Sequence, residues 1–248
     1  MLCKAVGLAD GTAQCDRNDS LGAAVDQCPK TANPCCLERV DSGTMRYQIM
    51  QDSDPAKTAA VLIVALSELD GTTSAEYATA PVVAFWNEGW KAAQRFLPAD
   101  ARTGPTIALA MNAQPTRGEA RIHLHISCPS PKLLAALRGH TFSADGWTSV
   151  VLPGVGAQHV PDRTFRVRIT PALIDDPSPA APRRNPFSLA VADAATPDLQ
   201  RHAMAIVGMA GGGGWYVIDR TMAPSDPKLS GYIEDALEET CGGQSLRR

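Results

Sequence analysis

The chain has 248 residues, room for one large domain or two small ones, and its net charge of -3 argues against a general nucleic-acid binder. Hydrophobic residues make up 44% and aromatics 5%, an ordinary globular balance, and 20 glycines with 19 prolines imply plentiful loops. No apolar run approaches the roughly 18 residues that a spanning helix needs, and no charged-then-apolar leader opens at Met1.

Met1 to Leu8 reads as a short helix, and the remainder to residue 44 as an irregular, Cys-rich segment. Met45 to Gln51 and Ala59 to Leu66 are apolar, strand-like runs around the turn Asp52-Ser-Asp-Pro55, which predicts a hairpin. Ala80 to Leu97 has helical apolar spacing, with Pro81 in the first turn, where its missing N–H costs nothing. Trp86 and Trp90 share a face of that helix and read as core residues. Thr106 to Met111 is a strand, followed by the turn-rich loop Asn112 to Gly118 and a strand over 121–128. Pro129 to Arg138 reads as a short helix or turn, 145–152 and 164–170 as strands, and 187–194 as a short helix. Arg201 to Met209 and Trp215 to Arg220 are strands joined through Gly211 to Gly214. These glycines lie between strands, with no helix start to add its dipole, so they are not a phosphate loop. Ser230 to Thr240 reads as a C-terminal helix with Ile233, Ala236 and Leu237 on its apolar side. The first half is therefore β-β-α-β-β, an antiparallel sheet with a helix on one face, and the second half repeats this strand-rich layout.

Seven cysteines are many for a cytosolic protein of this size. Cys3, Cys15, Cys28, Cys35 and Cys36 crowd the N-terminal segment, while Cys128 and Cys241 are distant. Paired zinc knuckles are absent from the spacing, which favours disulfides over a zinc cluster, and the odd count leaves one thiol over or pairs it between chains. Disulfides in turn imply an exported, periplasmic or membrane-associated protein.

The strand over 121–128 carries the chemistry. Arg121, His123, His125 and Ser127 alternate with Ile122, Leu124, Ile126 and Cys128, so two imidazoles stand together on one face and apolar residues anchor the other. Three readings stand at this point: a site for an anionic group, two solvated imidazoles on an open sheet face, or a metal site. The metal site needs another ligand, and no spacing singles out His140, His159 or His202.

The run Arg121-Ile-His-Leu-His-Ile-Ser-Cys128 resembles the signature strand of the histidine-triad (HIT) superfamily, and more specifically that of the CDP-diacylglycerol pyrophosphatases, which carry His-Ile-Ser-Cys here. Asn112 precedes His123 by the spacing of that family's loop asparagine. Asn33 to Cys36, Leu69 to Ser74, Trp147 to Pro153, Phe165 to Thr170 and Asn185 to Phe187 resemble further landmarks. Two positions depart from the pattern: Arg121 replaces the first histidine of the triad, and Ala65 a strand-ending proline.

The resemblance implies an α+β fold: a HIT-like antiparallel sheet with flanking helices, whose two halves form a pseudo-dimeric single chain. On this reading 1–44 is a Cys-rich segment packed on a HIT-like domain over 45–248, with the site in 45–140 and the second half in 141–248. It also implies hydrolysis of a nucleoside-diphosphate-linked substrate, CDP-diacylglycerol to CMP and phosphatidate, with no cofactor or metal and with peripheral membrane contact for a lipid substrate. The expected nucleophile is His123, with one ring nitrogen fixed by a backbone carbonyl. His125 is expected on a phosphoryl oxygen, Asn112 and Ser127 as donors, and Arg117, Arg121 and Arg168 as cations facing the phosphates. The alternatives are a protein of this fold that only binds, which the loss of the first histidine favours, and a metal-dependent enzyme using His123 and His125 as ligands.

Overall fold

The computed structural model describes residues 21–28, 35–41, 46–52, 54, 56–66, 85–116, 121–152, 162–171, 186–192, 198–226, 231–238 and 240–246. In chain order the main elements are α1 (Leu21–Gln27), β1 (Cys36–Val40), β2 (Tyr47–Gln51), β3 (Val61–Ala65), α2 (Phe85–Phe96), β4 (Ala108–Met111) and β5 (His123–Pro129). There follow α3 (Pro131–Arg138), β6 (Thr148–Leu152), β7 (Arg163–Thr170), α4 (Pro186–Ala192), β8 (His202–Gly208), β9 (Trp215–Thr221) and β10 (Leu237–Glu238).

All pairings are antiparallel, and one sheet runs β1-β2-β3-β5-β4-β8-β9-β7-β6, with β10 added on the end of β5. Read from each outer side inward, the order is β2-β3-β5-β4 in the first half and β6-β7-β9-β8 in the second. Each half is thus a β-β-α-β-β unit with its last strand inserted between its second and third. The two units meet through the β4–β8 ladder, Ala108 opposite Val207 and Met111 opposite Met204. Strand β1 extends the first unit outward, so the N-terminal segment is built into the sheet.

Strand alternation divides the core between the two faces. Ile63, Leu109, Leu124, Ile126, Ile206 and Val217 face α2 and α4, where Trp86 and Phe187 meet with ring centroids 5.3 Å apart. Leu124 and Ile126 are fully buried, each worth about 1.5–3 kcal/mol of transfer free energy. On the opposite face Leu62 and Val64 pack against Ala24 and Val25 of α1. Ala108, Ala110, Phe165 and Val167 pack there with Leu133 and Leu137 of α3 and with Ile233 and Leu237. The α3 helix starts at Pro131, two residues after the boundary read from the sequence, because β5 runs to Pro129 and Ser130 caps the helix, accepting from Leu133 N at 3.2 Å. The tight turn between β8 and β9 uses Gly211 (φ 76°) and Gly214 (φ 119°), conformations open to glycine and strained for other residues.

Two expectations change. The predicted C-terminal helix is instead a 3-10 turn (Glu234–Ala236) leading into β10, which pairs Leu237 with Pro129. Its apolar residues are buried as predicted, but the chain straightens to complete the end of β5 and to reach the Cys128–Cys241 disulfide. The irregular N-terminal reading missed α1 and β1, whose short apolar runs gain stability only by packing on the sheet. The helix expected over Met1 to Leu8 lies outside the described residues.

A second disulfide, Cys28–Cys36, ties the end of α1 to β1, and Cys35 is also disulfide-bonded. The described disulfides are consistent with an oxidising, periplasmic-type location. Among the described residues no helix is long and apolar enough to cross a membrane.

Candidate active site

Strand β5 is interior to the sheet, pairing with β3 on one side and β4 on the other, Leu62 opposite His125 opposite Ala110. Its even-numbered residues fill the core under α2, which leaves His123, His125 and Ser127 for the opposite face, between the α1 layer and the cover around Ile233. The two imidazoles stand edge to face, centroids 5.2 Å apart with 68° between planes. Neither is an open-surface residue. His123 is 6% exposed.

His123 Nδ1 lies 2.9 Å from the carbonyl oxygen of Arg121. A carbonyl only accepts, so Nδ1 carries the proton and the neutral ring has its lone pair on Nε2. This backbone anchor is the one the sequence required of a nucleophile without naming it.

His125 has a different partner, which the sequence did not reveal. Its Nδ1 lies 2.7 Å from Glu234 Oε2, both side chains about nine-tenths buried. The approach falls outside hydrogen-bonding angles, so the contact is an ion pair by distance, and Nδ1, Nε2 and Oε2 all lack a hydrogen-bond partner among the described residues. Burial pushes His125 down, but the adjacent Glu234 carboxylate outweighs it and raises the ring above its ordinary 6.5. Burial likewise pushes Glu234 up, and the facing imidazolium brings it well below the usual carboxylate range. Both shifts describe one charged pair.

Asn112 is 4% exposed, and its Oδ1 accepts from the backbone N–H groups of Ile233 (2.8 Å) and Glu234 (3.2 Å). It thereby caps the turn that carries Glu234. Gly231 lies against the same loop, where an added Cβ would come within 2.7 Å of Ala113 Cβ and closer still to Thr116 Oγ1 and Met222 Sδ. Asn112 was expected as a donor from the loop to a phosphate or ribose. The structure commits its carbonyl oxygen to the chain segment opposite His125, a role separate from donation by its amide nitrogen.

Arg121 remains beside the pair but points its guanidinium at α1, with Nη1 and Nη2 3.2 and 3.3 Å from the two Asp26 carboxylate oxygens. Its side chain is 13% exposed against 60% for Asp26. Arg117 lies outside the described residues.

Two expected contributors are placed elsewhere. Ser127 is fully buried, its Oγ 2.9 Å from the carbonyl oxygens of Ala59 and Glu238. Its hydroxyl joins β5 to its neighbours and does not continue a polar stripe to substrate. Arg168 is on β7, four strand spacings from β5, roughly 19 Å at usual sheet geometry. It is also on the wrong face: Phe165 and Val167 share the histidine side, so Arg166 and Arg168 project to the other. There Arg168 lies over the Trp147 ring at 5.4 Å and donates to the Ala144 carbonyl. Alternation puts Arg166 and Arg168 on one face of β7, but the sequence does not say which face of β7 matches which face of β5.

Among the described residues no cluster of three His, Cys, Asp or Glu side chains is arranged to hold a metal ion. The candidate site thus brings together two imidazoles with different partners, His123 anchored through Nδ1 to a backbone carbonyl and His125 paired with a carboxylate.

No curated protein matches the chain. The family profile of CDP-diacylglycerol pyrophosphatase matches residues 17–244, nearly the whole sequence, including β5 and the turn with Glu234. The chain therefore belongs to the CDP-diacylglycerol pyrophosphatase family, hydrolases of a phosphoric anhydride.

Proposed function

We propose that His123 is the nucleophile in hydrolysis of CDP-diacylglycerol to CMP and phosphatidate. The observation that carries this reading is the 2.9 Å contact between His123 Nδ1 and the Arg121 carbonyl, which directs the Nε2 lone pair outward from its anchor. Nε2 attacks the phosphorus next to cytidine, and the P–O bond to phosphatidate breaks, its electron pair leaving on the phosphatidate oxygen. The cytidylyl-imidazole is cationic, with its positive charge facing the same backbone carbonyl. Water then forms the new P–O bond, the N–P bond breaks back to His123, and CMP leaves with the net consumption of one water. His125, beside it, offers Nε2–H to a phosphoryl oxygen as charge builds there.

Arg121 supplies positive charge one residue pair along the strand, although its guanidinium is bound to Asp26. Asn112 serves this chemistry through the segment it caps. The duplicated β-β-α-β-β order and the β4–β8 junction support reading the chain as a HIT-like pseudo-dimer with one working site. On the face that carries the histidines on β5, the equivalent strand β9 presents Tyr216 and Ile218. Wild-type protein with CDP-diacylglycerol in detergent micelles is expected to release CMP, and a folded His123→Ala variant to release none above background. Full CMP release by that variant rejects the nucleophile. No CMP release by wild type, with substrate still bound, selects the binding-only reading, and loss of activity in chelator selects the metal-dependent one.

A further inference from the structure

We infer that Glu234 is a positioning residue for this reaction: through the Asn112-capped turn it holds His125 as an imidazolium with Nε2–H as the donor to phosphate. The inference rests on the reading of His123 and His125 as the reacting pair. Its geometry is independent of that reading. Glu234 Oε2 is 2.7 Å from His125 Nδ1, its backbone N–H is fixed by Asn112 Oδ1, and Gly231 just before it sits too close to Thr116 and Met222 for any side chain. Tethering continues downstream, where Leu237 and Glu238 pair with β5 itself and Cys241 is bonded to Cys128. The carboxylate is therefore carried by a segment clamped at both ends to the strand and loop of the site.

The groups facing His125 define its charge. His123 stands on its own strand, Asp52 and Lys57 come from the connection between β2 and β3, and Glu234 from the capped turn, with Tyr232 hydrogen-bonded to Glu234. Lys57 opposes protonation of His125, and Asp52, 3.5 Å from Lys57, favours it. Of these, Glu234 is the ion-pair partner, 2.7 Å from Nδ1. Without it, a buried ring facing Lys57 is left with burial as its dominant influence and becomes neutral. A neutral ring has one proton, and that proton can sit on either nitrogen. The fixed donor toward phosphate is then lost.

The test is the pH dependence of kcat/KM for CMP release by wild type, Glu234→Gln, Glu234→Asp and His123→Ala, with ring-nitrogen NMR of His125 in wild type and Glu234→Gln. In wild type both His125 nitrogens are expected to carry protons at neutral pH, and the basic limb of the profile to follow their loss. In Glu234→Gln that limb moves down by about one pH unit or more, so activity above it falls about tenfold per unit, and lowering the pH restores it. Glu234→Asp restores part of the shift. An unmoved limb in folded Glu234→Gln overturns the inference and leaves the His123 reading standing. If Glu234→Gln does not fold, a neutral His125 spectrum in wild type at pH 7 overturns it equally. Activity in His123→Ala overturns the nucleophile instead, while the NMR result still decides whether Glu234 holds the charge on His125.

Discussion

The two β-β-α-β-β units share strand order and place their helices on one face, yet each buries a histidine and a carboxylate in its own way. In the first unit His123 and His125 face away from the helices, and His125 meets Glu234 from a distant part of the chain. In the second, His202 Nδ1 lies 2.7 Å from Asp219 Oδ1, and Arg166 Nε 2.6 Å from Asp219 Oδ2, under α4 on the helix face. His202 and Asp219 are fully buried, and none of the buried polar atoms of those three side chains lacks a partner. The first cluster keeps a buried His125 ring nitrogen without a hydrogen-bond partner among the described residues, and slight exposure at both side chains. A closed, satisfied cluster stabilises, or at least does not cost, the fold. An unsatisfied one costs stability and persists where a ligand completes it. The difference distinguishes a scaffold cluster from the candidate site within one sheet.

This contrast predicts that the same class of substitution reads out as activity in one unit and as stability in the other. The largest effect is expected at His123: His123→Ala lowers kcat/KM about 10³-fold or more with little change in melting temperature. Next, Asp219→Ala leaves Arg166 without its buried counter-charge and costs about 3–5 kcal/mol in denaturant unfolding, while kcat/KM per folded molecule stays within about twofold. Opening Cys128–Cys241 by a Cys→Ala pair removes a long-range staple, 113 residues apart in sequence, for a loss of about 2–4 kcal/mol. Asn112→Ala spans both categories, since it strands the two N–H groups at the Glu234 turn for about 1–3 kcal/mol and raises KM as Glu234 drifts. The smallest effect is at Arg168, where Arg168→Ala changes kcat/KM by less than about twofold because the residue lies on the far face.

The ion pair of the first unit also sets a pH window. Glu234 is depressed below its ordinary 4.5, so its contribution is present above that value and fades as pH falls through its folded value. His125 is raised above 6.5, so its contribution is full below that value and fades as pH rises through its folded value. The stability difference between wild type and Glu234→Gln is therefore largest between about pH 4.5 and 6.5 and shrinks on either side, a trend that melting temperatures across pH will check.

Most of the frame is legible locally. Alternation along 121–128, the apolar spacing of α2 and the glycine turn before β9 each state their structure within a few residues. The backbone anchor of His123 is also local, two residues away, but the sequence alone does not say which carbonyl it is. What the sequence withheld is the relation between distant segments. The residues around Glu234 read as an amphipathic helix because Ile233, Ala236 and Leu237 satisfy that spacing, and nothing nearby marks the glutamate as a partner of His125. Arg168 failed for the same reason: periodicity fixes which residues of one strand share a face, while topology decides which face that is. Ser127 kept its predicted side, but β10 and the C-terminal disulfide cover it.

The central claim is a covalent bond between His123 and the cytidylyl phosphorus. Wild-type protein should be mixed with CDP-diacylglycerol labelled in its cytidylyl phosphate, quenched in alkali within the first turnovers and digested for peptide mass spectrometry. The account predicts a cytidylyl group on the peptide that contains His123, absent from His123→Ala. Label on another residue, or rapid wild-type turnover with no protein-bound label at any time point, would contradict it.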